Sequence, residues 1–147
     1  MLLEIFQFVA IFSCTIFAGA AVYINAAEHP ARMECGTELA ASVFGPSYRR
    51  AAVLQASLAI IATISGVACG IMSGASDWYL GAALIFFVVP FTFAVIMPTN
   101  KRLLSPSLDR TSVEAAALLV RWGQLHAVRS GFSILSSWVY IYLGTST

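Results

Sequence analysis

Two His-x-x-Arg pairs carry most of the chemical potential of this 147-residue chain, and they contain both of its histidines. Asn25, His29 and Arg32 are spaced i, i+4, i+7, and Trp122, His126 and Arg129 repeat that spacing, so on a helix each set lies along one face. Glu28 stands one residue off the first face, and Thr99 and Asn100 arrive at the same level from a third segment. All of these residues lie within or at the ends of long apolar runs. Polar groups there are costly unless they face a bundle interior, pair with one another or line a wet cavity. That cost makes His126 and Arg129 candidates for a functional site. Each residue also has a plainer reading. Arg32, Arg121 and Arg129 are long enough to snorkel to lipid phosphates, and Glu28 can pair with Arg32 or Arg129. His29 can sit in interfacial water, and Asn25 and Asn100 can tie helix ends together through backbone hydrogen bonds.

Metal chemistry is poorly served by this set. Zinc and copper sites want three or four well-spaced ligands, and only His29, His126 and Glu28 are at hand. No resident cofactor is expected; haem held between His29 and His126, or a bound quinone, is the alternative. Cys14, Cys35 and Cys69 are odd in number and lack CxxC spacing, which suggests neither a disulfide framework nor structural zinc. Gly-rich phosphate loops, Ser-His-Asp patterns and Cys-His nucleophile signatures are missing. A net charge of +1 with no basic face argues against a nucleic-acid partner.

The elements that must position these residues follow from composition. A chain that is 59% hydrophobic and 10% charged cannot hide its apolar surface in one small water-soluble core, so lipid is its main solvent. Residues 5–27, 51–76 and 78–100 are uncharged runs, each longer than the roughly 20 residues that cross a bilayer as a helix. Glu4 ahead of the first run is the wrong charge for a signal peptide, so that run is read as a span. A fourth helix is interrupted by Arg121, His126 and Arg129, but Thr111 and Glu114 form a capping-box pattern at its start. The expectation is one all-α domain over residues 1–147, an antiparallel four-helix transmembrane bundle with helices at about 3–29, 47–73, 77–98 and 112–143. Gly45-Pro46-Ser47 marks a loop before the second helix, with a short amphipathic helix over 37–44 ahead of it, and Pro98 ends the third.

All eight Lys and Arg residues fall in the first and third connections or the adjoining helix ends. The positive-inside rule puts those connections in the cytoplasm and both termini outside. Trp78, Tyr79, Trp138, Tyr140 and Tyr142 fall at the opposite ends of the third and fourth helices, where an aromatic belt is expected. The localisation that follows is an integral membrane protein of the bacterial inner membrane. Lipid is its first partner, and a homo-oligomer or a larger membrane complex is compatible with so small and loop-poor a chain.

Several strings resemble a known family. Phe17-Ala18-Gly19-Ala20 leading to Asn25 and Glu28-His29-Pro30-Ala31-Arg32, then Pro46-Ser47-Tyr48-Arg49-Arg50-Ala51, Pro98-Thr99-Asn100-Lys101-Arg102-Leu103 and Arg121 to Arg129 are similar to the small four-span membrane family grouped with anthrone oxygenases. Its bacterial members are mostly a domain of unknown function, and its fungal members oxidise anthrones to anthraquinones with molecular oxygen and no established cofactor. The resemblance implies an apolar aromatic substrate arriving from the bilayer, with a neutral His126 or His29 as base and Arg129 or Arg32 stabilising the enolate. Trp122 would stack on the ring, and Asn25 or Asn100 would bind an oxygen substituent. Two other classes stay open: a non-catalytic accessory subunit, in which the polar cluster faces a neighbouring chain, and a haem- or quinone-binding redox protein.

Overall fold

A computed structural model of the chain describes residues 1–146, and among them there is helix, turn and no strand. Four long helices run antiparallel: α1 (Leu2–Glu34), α2 (Thr37–Ser73), α3 (Asp77–Leu103) and α4 (Val113–Thr145). Each packs mainly on its sequence neighbours and α4 closes the ring on α1, so the site can be built from all four. The first three are long and apolar enough to cross a membrane. The fourth carries Ser130, Ser133, Ser136 and Ser137 on its buried face, which lowers its hydropathy while it runs through the same bundle. The chain is a helical membrane bundle.

The helices depart from the apolar runs mainly at the end of the bundle that carries the cations. The second helix starts at Thr37 rather than near 47, absorbing the expected short helix and the Gly45-Pro46 loop. Pro46 lacks the N–H that would bond the carbonyl one turn back, but tertiary packing carries the helix past it. Ala40, Ala41 and Phe44 are buried with Ile24, Leu103, Leu108, Leu119 and Trp122 in one apolar cluster. The third helix likewise continues beyond Pro98 to Leu103.

Two π turns interrupt the bundle at similar depth, Ile24–Glu28 in α1 and Thr92–Ile96 in α3. Pro30 and Pro98 each follow one, and the carbonyls their rings would strike, at Ala26 and Ala94, lie inside the widened turns. Widening relieves that clash and lets the helix go on. Such π turns often mark functional sites.

The start of α4 differs in detail. Ser112, not Thr111, is the cap, its hydroxyl accepting from the Ala115 N–H at 3.1 Å. Thr111 instead donates to Asp109 through its amide (2.9 Å) and hydroxyl (2.7 Å), and Glu114 forms a two-pronged pair with Arg102 at 2.5 and 2.8 Å. Thr and Ser both suit an N-cap, which is why spacing alone misplaced it by one residue.

At the opposite end Tyr140 is wholly buried and donates to the Ala62 carbonyl at 3.0 Å. Its ring fills space left by Gly66 and Gly81, and Ser136 donates to the Gly81 carbonyl at 2.7 Å. Small residues here allow the close approach that drives helix association in lipid. A methyl group at Gly81 would overlap the Tyr140 ring. We expect Gly81→Ala to cost about 1–3 kcal/mol, as overpacking does. An unfolding midpoint in mixed micelles equal to that of the native chain would contradict this packing.

Candidate functional site

At the level of the two π turns the four helices enclose a cavity of about 140 Å³. Its walls are largely apolar, with Ile24, Phe44, Ala59, Val88 and Ile96 among them, and its polar lining includes Arg32, Gln55, Asn100, His126 and Arg129.

His126 is held by neighbours that determine its tautomer. Asn25 Nδ2 donates to the Gly123 carbonyl at 3.1 Å, which turns Asn25 Oδ1 toward the imidazole. His126 Nδ1 lies 2.7 Å from that oxygen, and the Ser130 hydroxyl donates to it at 2.7 Å as well. On the other side of the ring, Arg129 Nη1 stands 3.3 Å from Nε2. A carboxamide oxygen only accepts and a guanidinium only donates. The ring is therefore the neutral Nδ1–H form, with the Nε2 lone pair facing Arg129 and the cavity. Trp122 stacks on this ring at a centroid distance of 4.8 Å and is itself braced edge-on by Phe44 at 5.3 Å.

The two arginines of the cavity differ in one respect that decides the electrostatics. Arg32 is ion-paired with Glu28, whose Oε1 also accepts from Ser47 Oγ at 2.7 Å, so its charge is neutralised. Arg129 has no carboxylate partner among the described ion pairs. Its guanidinium lies over the Phe17 ring, 5.0 Å from the centroid, and its Nε is buried without a hydrogen bond. An apolar cavity with one uncompensated cation is built to receive one negative charge.

The residues singled out from sequence separate into two groups. Arg32, Asn100, Trp122, His126 and Arg129 line the cavity together. Asn25 stands behind His126 and orients it. His29 is not in the cavity wall: its ring packs on Trp122 at 5.1 Å and occupies the space beside Gly123, where an added Cβ would come within 2.7 Å of Nε2. Asn25 and His29 both turn toward Gly123 of α4, and of that set only Arg32 reaches the cavity wall. Since only one imidazole reaches the cavity, the pair does not form a two-histidine haem cradle, and among the described residues no three His, Cys, Asp or Glu side chains converge as metal ligands. Sequence reasoning missed Gln55, Tyr48 and Thr92, which also line the wall. The one available signal was Gln55, the single amide side chain in the uncharged run 51–76.

Fold and site together define a four-helix membrane protein with a cavity between its helices that sets a histidine beside an arginine lacking a carboxylate partner among the described ion pairs. The family model for anthrone oxygenase matches residues 41–139, and the chain belongs to that family. It is similar to the anthrone oxygenase tpcL of Aspergillus fumigatus, at 41% identity over 61 residues, which is 40% of this chain and 38% of that protein's length. The chain thus matches well under half of the curated relative. No solved structure matches it.

Proposed function

We propose that this chain is a membrane oxygenase that removes a proton from an apolar, flat phenolic ketone of the anthrone type and lets molecular oxygen oxidise the resulting carbanion, with no resident cofactor. The observation that carries the reading is the juxtaposition of His126 Nε2, free to accept a proton, with the uncompensated Arg129 in one apolar cavity. The cluster encloses a cavity instead of facing outward, which favours a catalyst over an accessory subunit. The positive-inside pattern of the cations supports placing the cavity toward the cytoplasmic face of a bacterial inner membrane.

The chemistry follows from the geometry. In the empty site Arg129 Nη1 occupies the His126 lone pair. A ligand carbonyl that draws the guanidinium to itself uncovers Nε2, so binding arms the base. Nε2 takes a proton from the ring methylene, and the developing imidazolium keeps its Nδ1–H on Asn25 Oδ1. Electron density moves onto the ketone oxygen, where Arg129 stabilises it in a low-dielectric setting. Oxygen adds at the carbanionic carbon and the peroxide takes the proton back from His126. Loss of the remaining C–H proton then breaks the O–O bond, leaving a carbonyl and one water. One O2 is consumed per CH2 converted to C=O, so no external reductant is needed.

The test is oxygen uptake and quinone absorbance with 1,8-dihydroxyanthrone and purified protein in nanodiscs. The reading expects uptake well above that of protein-free nanodiscs, with one quinone formed per O2. Rates equal to protein-free nanodiscs would overturn it.

A further inference from the structure

Gln55 is 2% exposed, sits on α2 within the membrane-crossing part, and its Nε2 has no hydrogen-bond partner. Asn100, 1% exposed near the end of α3, has an Oδ1 equally without a partner. A buried polar group left unpaired costs about 1–3 kcal/mol, so two such amides in one cavity wall imply something that pairs them when the site is filled.

Their depths differ. Tyr48 Oη reaches Met97 Sδ at 3.9 Å, which sets α2 and α3 in register at that level. Gln55 lies two turns further into the membrane along α2, and Asn100 about one turn toward the cytoplasm along α3. At 1.5 Å rise per residue the two amides are on the order of 15 Å apart along the bundle axis, with His126 and Trp122 on the same cavity wall. The cavity is thus a slot, long along the membrane normal, with the two carboxamides well apart along its length and Ala59 lining it one turn beyond Gln55. Its volume of about 140 Å³ is close to the ~150 Å³ that holds a single benzene ring. A longer ligand fits only if the slot widens. The wall able to give is the α2–α3 seam, lined by the small Ala52 and Ala56 of α2 and by Val89 and Phe93 of α3, where Phe93 is 65% exposed and the π turn Thr92–Ile96 interrupts the regular helix.

We propose that Gln55 and Asn100 are the specificity-determining residues of this site: each binds an oxygen substituent at one end of a flat ligand that enters from the bilayer through the α2–α3 seam, and their separation selects for ligand length. This rests on the cavity being a ligand site, as the proposed function also requires, but not on any oxidation taking place there.

The test is anaerobic equilibrium binding in nanodiscs, with three probes that cannot be turned over: 2,6-dihydroxyanthraquinone, whose hydroxyls stand at opposite ends of its long axis, unsubstituted anthraquinone and the single-ring 2-hydroxyacetophenone. The native protein is expected to bind the dihydroxy compound at least tenfold more tightly than either other probe. Gln55→Leu should lose about tenfold for the dihydroxy compound and little for anthraquinone, as one lost hydrogen bond implies. Asn100→Leu should show the same selectivity. Because Gln55 is unpaired in the empty protein, Gln55→Leu should also melt no lower than the native chain, which separates a binding role from a structural one. Equal losses for both three-ring probes, no loss for either, or a lower melting point that Gln55→Met shares would each overturn the proposal. Discrimination without oxygen uptake would refute only the oxygenase reading, whereas uptake with an unchanged KM in Gln55→Leu would refute only this one.

Discussion

His126→Ala is expected to lower oxygen uptake by at least about 100-fold while leaving the affinity for a non-reactive ligand within a few-fold, since general bases typically contribute 10²–10⁴ in rate. The split between rate and binding is the informative part. His126 contributes one side chain to a wall built from all four helices, so its removal leaves Gln55, Asn100 and Arg129 in the lining. His126→Gln keeps a polar group at the same place but offers no basic nitrogen, and it should be as slow as alanine. If either variant retained more than about a tenth of the native rate, the base would be some other group. His29 is the first alternative, and His29→Ala is the control: from its place against Trp122 it should change the rate only through the packing of that ring.

Arg129→Met should lower the rate by about 10²–10³, the range seen when one donor to a developing oxyanion is lost. It should also change the charge state of what binds. A phenolic ligand that ionises on binding to the native site should stay neutral in the variant at the same pH, which its visible spectrum reports. Arg129→Lys keeps the charge but not the fork of donors, so it should recover part of the spectral shift and less of the rate. Because Arg129 has no carboxylate partner, methionine leaves no buried anion stranded, and the variant should fold at least as stably as the native chain. An unaltered spectrum of the bound phenol would show that Arg129 does not meet the ligand's oxygen.

The membrane bundle was legible from the sequence because its signals are local. Hydropathy marks spans one residue at a time, and the i, i+4, i+7 spacing in α4 holds because that helix is regular from Val113 to Thr145. Trp122, His126 and Arg129 accordingly share a site as their spacing implies. On α1 the spacing did not say which residues would reach the cavity: Asn25 and His29 both turn toward Gly123, His29 packs on Trp122, and Arg32 alone of the three lines the wall. Nothing local announces the π turn at Ile24–Glu28 except Pro30, and Pro46 sits inside a helix with no π turn at all. The extension of α2 back to Thr37 was hidden for a different reason. It depends on Phe44 and Ala40 meeting Leu119 and Trp122 from a helix some 75 residues away, contacts that propensity cannot see. Gln55 stayed unread because an isolated glutamine on an apolar helix faces lipid, a partner or a cavity with equal claim until the helix is placed in its bundle. The family resemblance drew attention to His126 and Arg129, but the Nε2 lone pair turned toward Arg129 and the missing counter-ion of Arg129 are properties of the folded chain.

The most direct measurement of the central claim is exchange of the ring-methylene protons of an anthrone for deuterium, followed without oxygen in nanodiscs containing the protein. Exchange requires only the base and the stabilised anion, so it isolates the step assigned to His126 and Arg129. The account predicts exchange well above the protein-free rate, falling by about 100-fold or more in His126→Ala. Exchange at the protein-free rate, in a preparation that nevertheless accelerates oxygen uptake, would contradict it.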